Sequence, residues 1–261
     1  MNKSLYLYLF PTIFTAANMF CGIYSIILCM KGNFIKSAWM ILLGIIFDGL
    51  DGMVARARKA SSLLGAELDS LADFITFCIA PMILVWQLVM YKYGFAGILV
   101  CFIFTFFGGL RLARFNTAVY NSGEYKIGHF IEGLPTPAAA GIIVSIVLLL
   151  GISTAEYSLS KRYITFLLTL LPWMLNLLPG LVVMLALLMV TRLRYPKLNY
   201  LRLNQKVSFK MFSLILVAVL LIFAYPESSI FIIFSAYILW GVVEYLSRLY
   251  RMRKNINTKQ L

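Results

Sequence analysis

A polytopic bundle of transmembrane α-helices, about eight spans, is the fold class this sequence predicts. Three observations predict it. The chain of 261 residues is 62% hydrophobic, with a mean hydropathy of +0.89. Only 13% of residues are charged, and apolar runs of about 18 or more residues recur, the length a helix needs to cross a bilayer. The runs are continuous rather than alternating and too long for barrel strands. In lipid only helices or closed barrels satisfy every backbone hydrogen bond, so helices remain.

From the N-terminus, residues 3–10, "KSLYLYLF", are too short to span and read as an interfacial segment stopped by Pro11. With no small-residue cleavage site, this start is expected to stay in the mature chain. A first span covers about Thr12–Met30, "KGNF" makes a tight turn, and a second span covers about Phe34–Ala55. The short basic loop "RARKASS" leads to a third span, about Leu64–Leu88, closed by "MYKYG". A fourth covers about Phe95–Phe115, and a polar loop runs from Asn116 to Glu132. Pro135 and Pro137 suit the first turn of a fifth helix ending near Gly151. Pro172 and Pro179 are expected to break the next stretch into an interfacial or re-entrant segment, 160–174, and a sixth span, 180–190. After the basic loop "TRLRYPKLNYLRLNQK" come spans at about Phe209–Phe223 and Ser229–Leu246, then a solvated basic tail. This divides the chain into a membrane region, 1–195, expected to carry the function, and a C-terminal region, 196–261, whose two spans are expected to append to a six-helix core.

The formal net charge is +13. The basic residues cluster at the ends of apolar runs, which reads as loop charge facing anionic lipid rather than a nucleic-acid surface. With both termini cytoplasmic, Lys31, Lys36, Lys92, Lys161 and Arg162 lie on the far side and the other 18 of the 23 Lys and Arg on the cytoplasmic side. The positive-inside rule favours that orientation. Cys21, Cys29, Cys78 and Cys101 each sit inside an apolar run and make no CxxC, as buried apolar side chains do.

Against this background the aspartates stand out. Asp48, Asp51, Asp69 and Asp73 are the only ones in the chain. Spacings of three and four put each pair on one helical face. A short loop makes the two helices antiparallel neighbours, so all four carboxylates converge at the cytoplasmic interface. Acids at membrane depth are costly and functional. Hard carboxylate oxygens without His or Cys suit Mg²⁺ or Mn²⁺, ions that share their shell with phosphates. Gly52, Ala55 and Gly65 let a bulky ligand approach the backbone, and Arg56 suits a phosphate. Each also reads as ordinary packing or membrane anchoring.

Asp48-x-x-Asp51-Gly52-x-x-Ala55-Arg56, eight residues, then Gly65-x-x-x-Asp69-x-x-x-Asp73 resembles the full signature of the CDP-alcohol phosphatidyltransferase family. The resemblance covers roughly residues 10–195. It implies transfer of a phosphatidyl group from a CDP-activated lipid to an alcohol, with release of CMP. It implies two divalent cations, Mg²⁺ or Mn²⁺, on the four aspartates, with Asp73 the general base and Asp69 beside it. It places Asn18, Asp51, Gly52, Ala55, Arg56 and Gly65 at the CDP moiety. It also implies a homodimer in a prokaryotic cytoplasmic membrane, with the site facing the cytosol.

"ELDSLADFITFCIAP", "LRLARFN", "GLPTPAAAG" and "ALLMVTRLRYPKL" resemble the branch of the family that joins CDP-diacylglycerol to L-serine. Serine carries a carboxylate, and Arg111 and Arg114 lie three apart at the cytoplasmic end of the fourth helix, suited to bind it or to anchor the helix. His129 reads as a loop residue and Glu67 as part of the polar shell. Acceptors such as inositol phosphate, glycerol phosphate or choline, and a CDP-archaeol donor, stay open. A cation transporter would place its acids nearer the midplane on discontinuous helices.

Overall fold

Turn residues end the first apolar run at Lys31–Asn33, where Gly32 adopts a φ of 76°. The computed structural model describes residues 3–58, 63–122, 130–154, 161–191, 194–196 and 226–257. Around that turn α1 (Lys3–Met30) and α2 (Phe34–Arg58) pack against each other as antiparallel neighbours. Near the turn the pair is closed by Ser25, whose hydroxyl donates to the Ser37 carbonyl at 3.0 Å and lies 2.8 Å from the Ser37 hydroxyl.

The third span is one continuous rod in three parts: α3 (Leu63–Asp73), a π-helical segment (Phe74–Ile79) and α4 (Ala80–Leu88). Pro81 explains the middle part. It has no N–H for the α-helical ladder, and its ring opposes the carbonyl four residues back. The ladder widens ahead of it, so that the Ala80 N–H donates to the Ile75 carbonyl, five residues back. Side chains on neighbouring helices hydrogen-bond this irregular stretch, Thr105 donating to the Cys78 carbonyl at 3.4 Å. In the other direction Thr76 donates to the Asn18 carbonyl of α1 at 2.9 Å. Such satisfaction by neighbours is what irregular backbone at membrane depth requires.

Small residues bring three helices against the π segment. A Cβ on Gly22 of α1 would fall 2.9 Å from Thr76 Cα, and one on Gly44 of α2 would fall 2.6 Å from Thr76 Cγ2. On α5 (Phe95–Ser122) a Cβ at Gly108 would lie 3.3 Å from Cys78 Cβ. The site end of the third span is thus fixed on three sides by backbones that approach closely.

α6 (Thr136–Thr154), α7 (Lys161–Val190) and α8 (Pro226–Asn257) complete the bundle. α6 is the most buried: Ala139, Ala140, Ile143 and Val144 are fully enclosed. α8 packs along α6, with the Phe234 ring lying on Gly141. Among the described residues, four helical stretches are long and apolar enough to cross a membrane: Thr12–Met30, Leu64–Leu88, Phe95–Thr117 and Glu227–Tyr245. Thr136–Leu150 and Asn176–Val190 are shorter apolar helices. Exposed Phe95, Ile98, Phe102 and Phe106 on α5 give that helix an apolar outer face, as lipid contact demands.

Three expectations are corrected. Residues 3–10 are not a separate interfacial segment, because α1 runs unbroken through Pro11. Nor do Pro172 and Pro179 divide the chain, because α7 is one helix from Lys161 to Val190. Transmembrane helices tolerate interior prolines because neighbouring groups re-satisfy the freed carbonyls. The fourth helix also outlasts Phe115 and reaches Ser122, which shortens the polar loop. The expected span at 209–223 lies outside the described residues, so the count of eight remains a reading of the sequence.

One element was not anticipated. Strand β1 (Phe130–Glu132) pairs antiparallel with β2 (Arg194–Pro196), Ile131 opposite Tyr195. It ties the segment before α6 to the segment after α7. Next to it Gly133, at φ 79°, lies against the Met189 carbonyl, and the Leu134 N–H donates to the Leu188 carbonyl at 3.1 Å.

Gly133→Ala therefore meets both a left-handed backbone and a carbonyl in contact. It should cost roughly 2–4 kcal/mol, read as a lowered thermal midpoint of the protein in detergent. Gly180→Ala, where nothing lies within 4 Å of the added methyl, should be neutral or slightly stabilising. Equal midpoints for the two variants would show that the Gly133 contact carries no weight.

Candidate active site

Asp48 and Asp51 project from α2, and Asp69 and Asp73 from α3, within helices that the close approaches at Gly22 and Gly44 hold in place. One carboxylate oxygen each from Asp48, Asp69 and Asp73 lies within 4.8 Å of the others. Asp73 and Asp51 are buried, and Asp48 and Asp69 half-buried. Asp51 is close enough to Asp69 to act on it electrostatically, so all four acids share one field. Of the four acids expected to converge, the helices bring Asp48, Asp69 and Asp73 together, while Asp51 lies outside that group and accepts from Thr15.

α1 forms the wall of the site. Thr15 and Asn18, three apart and both buried, face the acids. The Thr15 hydroxyl donates to Asp51 Oδ2, and the Asn18 amide donates to Asp73 Oδ1 at 3.0 Å. The backbone carbonyl of Asn18 accepts the Thr76 hydroxyl at 2.9 Å. Asn18 thereby grips the third span on both sides of the junction between α3 and the π segment.

A metal fits this donor set. Asp69 Oδ1 and Asn18 Oδ1 are both buried, and neither has a hydrogen-bond partner among the described residues. Two orphaned oxygen acceptors, one of them on a converging carboxylate, call for a positive ion or a donor. Hard oxygens in this number suit Mg²⁺ or Mn²⁺ better than a thiophilic metal.

Arg111 enters from α5. Its Nη1 donates to the Thr136 hydroxyl at 3.0 Å, while its Nε is buried without a partner. Its guanidinium lies within electrostatic reach of Asp73 and Asp48. Arg114 goes elsewhere: it is exposed and donates to the Val190 carbonyl at 3.0 Å, holding the C-terminus of α7. Two arginines on one helical face thus have different neighbours.

Gly52, late in α2, and Gly65, early in α3, are half-buried. The side chains of Ala55 and Arg56 lie outside the described residues, as does His129. Beside α3, Asn116 donates to Ser70 Oγ at 2.9 Å and to Glu67 Oε2 at 3.4 Å, placing Glu67 in a polar shell between α3 and α5. Sequence reasoning missed Thr15 and Thr136. The first was legible in principle, one helical turn before Asn18. Nothing local marks Thr136, which acquires its partner only when α5 and α6 pack.

Comparison with known proteins agrees with this geometry. The family model described as CDP-alcohol phosphatidyltransferase matches residues 8–176. A CDP-diacylglycerol–serine O-phosphatidyltransferase of Helicobacter pylori is 34% identical over 252 residues, 96% of this chain and 97% of the relative. A protein of the same name from Bacillus subtilis is 36% identical over 134 residues, 51% of this chain and 72% of the relative. An archaetidylserine synthase of Methanothermobacter thermautotrophicus is 36% identical over 137 residues, 52% of this chain and 56% of the relative. The matched segment contains the helices that bring the four aspartates together, and the chain belongs to the CDP-alcohol phosphatidyltransferase family.

Proposed function

We propose that this membrane transferase moves the phosphatidyl group of CDP-diacylglycerol to the hydroxyl of L-serine, giving phosphatidylserine and CMP. The observation that carries the reading is the convergence of Asp48, Asp69 and Asp73, with Asp69 Oδ1 and the neighbouring Asn18 Oδ1 left without hydrogen-bond partners among the described residues. The acceptor rests on a second: the relatives compared above, including one that covers nearly the whole chain, all have serine in their names. One of them is named for archaetidylserine, so the acceptor is common to relatives whose lipids differ.

Asp48, Asp51, Asp69 and Asp73 hold two divalent cations, Mg²⁺ or Mn²⁺. When bound, these neutralise the pyrophosphate and stabilise the charge on the departing phosphate oxygen. Asn18, Asp51, Gly52, Ala55, Arg56 and Gly65 form the CDP subsite. Gly52 and Gly65 leave room there, and Asn18 offers its unpartnered Oδ1. Asn18 fixes the Asp73 carboxylate through its amide. Asp73 takes the proton from the serine hydroxyl as the serine oxygen bonds to the phosphorus next to diacylglycerol. The bond from that phosphorus to the bridging oxygen breaks, and its electron pair leaves on CMP. Arg111 receives the serine carboxylate on its free Nε edge. A single guanidinium held by Thr136 matches one carboxylate.

Replacing Asp69 or Asp73 by Asn removes a hard donor or the base while keeping the side-chain shape. CMP release by purified protein should fall by at least about 100-fold with membrane insertion unchanged. Near-normal turnover at saturating metal would falsify the assignment. Chelation of divalent cations should stop CMP release, and omission of serine should abolish it in the unmodified protein. Serine-independent turnover with inositol phosphate or glycerol phosphate would retain the metal site and remove the acceptor.

Arg111→Ala should raise the serine KM by about ten-fold or more, since truncating one partner of a buried charge pair costs about 2–5 kcal/mol. The kcat should change little, because the carboxylate is bound alike in ground and transition states, and the KM for the CDP-lipid should stay within about two-fold, because Arg111 is placed at the acceptor. A fall in kcat with unchanged serine KM would instead make Arg111 a counter-charge for the aspartates.

The active site opens to the cytosol. In a variant without the four native cysteines, Ser61→Cys should resist a membrane-impermeant thiol reagent in intact cells. Lys31→Cys, at the opposite end of α2, should label readily. The reverse pattern inverts the topology.

A further inference from the structure

The family match ends at residue 176, well before α8. Yet α8 lies against the helix that anchors Arg111. Ile230, early in α8, joins the apolar cluster containing Val144, Val147 and Leu148, toward the far end of α6. Tyr237 and Ile238, two turns later, join the cluster containing Ala138 and Ala139, one turn from Thr136. With the Phe234 ring on Gly141 and Tyr237 within electrostatic reach of Arg111, the partner of Thr136, α8 runs antiparallel to α6. Phe234 meets Gly141, and Tyr237, three residues on, occupies the same face one turn lower.

That position brings Tyr237 to Arg111. Tyr237 lies within electrostatic reach of the guanidinium and is half-buried, packed against the apolar cluster that includes Ala138 and Ile142. A tyrosine buried at depth puts its hydroxyl to a polar partner. Arg111 is the polar group that α5 brings there, already bound to Thr136 at 3.0 Å and keeping a buried Nε without a partner.

We infer that Tyr237 is a positioning residue of the acceptor site: with Thr136 it holds the Arg111 guanidinium so that its unpartnered edge faces the substrate carboxylate. The C-terminal helix, outside the segment that defines the family, then contributes to the choice of acceptor. This rests on the proposal that Arg111 binds the serine carboxylate. A long, mobile side chain next to three carboxylates would otherwise collapse onto them. Fixing it from two sides keeps it from neutralising the metal site and leaves one edge for the substrate.

The experiment is a double-mutant cycle on the full chain, reading serine KM, CDP-lipid KM and kcat for Tyr237→Phe, Arg111→Ala and the pair. Tyr237→Phe keeps the ring that packs against α6 and removes only the hydroxyl. It should raise the serine KM about three- to ten-fold, with kcat and CDP-lipid KM unchanged. In the Arg111→Ala background the same change should have no further effect, because there is no guanidinium left to position. Thermal midpoints of the wild type and Tyr237→Phe should agree, which separates positioning from loss of fold. An unchanged serine KM in Tyr237→Phe alongside a raised one in Arg111→Ala overturns the role of Tyr237 alone. Fully additive effects overturn it too. An unchanged serine KM in Arg111→Ala overturns the acceptor reading beneath it.

Discussion

Mutual repulsion among like charges in a poorly screened setting is the constraint around which this molecule is arranged. Three carboxylates within 4.8 Å of one another, with a fourth in the same field, would push their helices apart unless something opposed them. The protein opposes them mechanically. Gly22 and Gly44 let α1 and α2 close on the third span, where a single added methyl would collide with Thr76. Thr15 and Asn18 each donate to one acid. The charge and two buried oxygens without partners among the described residues remain unbalanced, an arrangement suited to receive cations.

The same logic orders the rest of the bundle. α6, the most enclosed helix, has no acid and supplies Thr136 to hold the opposing guanidinium. α7 lies one layer further out and is tied to α5 through Arg114 and to the start of α6 through Gly133 and Leu134. α8 closes the other flank of α6. Each layer fixes the one inside it, so that a geometry costly in isolation is over-determined by its surroundings.

Much of the site was legible because its most demanding part is local. Asp48 to Asp73 lie in one stretch, and helical periodicity alone puts them on facing surfaces. The helical membrane class was equally legible, since hydropathy measures directly what lipid requires. Proline misled the reading at positions 11, 172 and 179. The expectation that proline ends a helix comes from water, where freed carbonyls find solvent and the helix gains little by continuing. In lipid the helix is the only refuge for the backbone, so it continues. Thr15 and Thr136 stayed hidden for another reason. Their partners lie 36 and 25 residues away, and no local pattern distinguishes a threonine that will meet a charge from one that will not.

The π-helical turn after Asp73 has a consequence for how this fold can change. Every residue inserted into a helix rotates the C-terminal part by about 100° relative to the N-terminal part. The wide turn makes the third span two segments with separately set azimuths. The half that carries Asp69 and Asp73 keeps the orientation its neighbours dictate. The half beyond Pro81, with Trp86 packed against one apolar cluster and Leu84 buried in the other, is oriented on its own terms. Substitutions that repack the end of the bundle away from the acids can then accumulate without rotating the aspartates. A span built as one regular helix would transmit every such change straight to the acids.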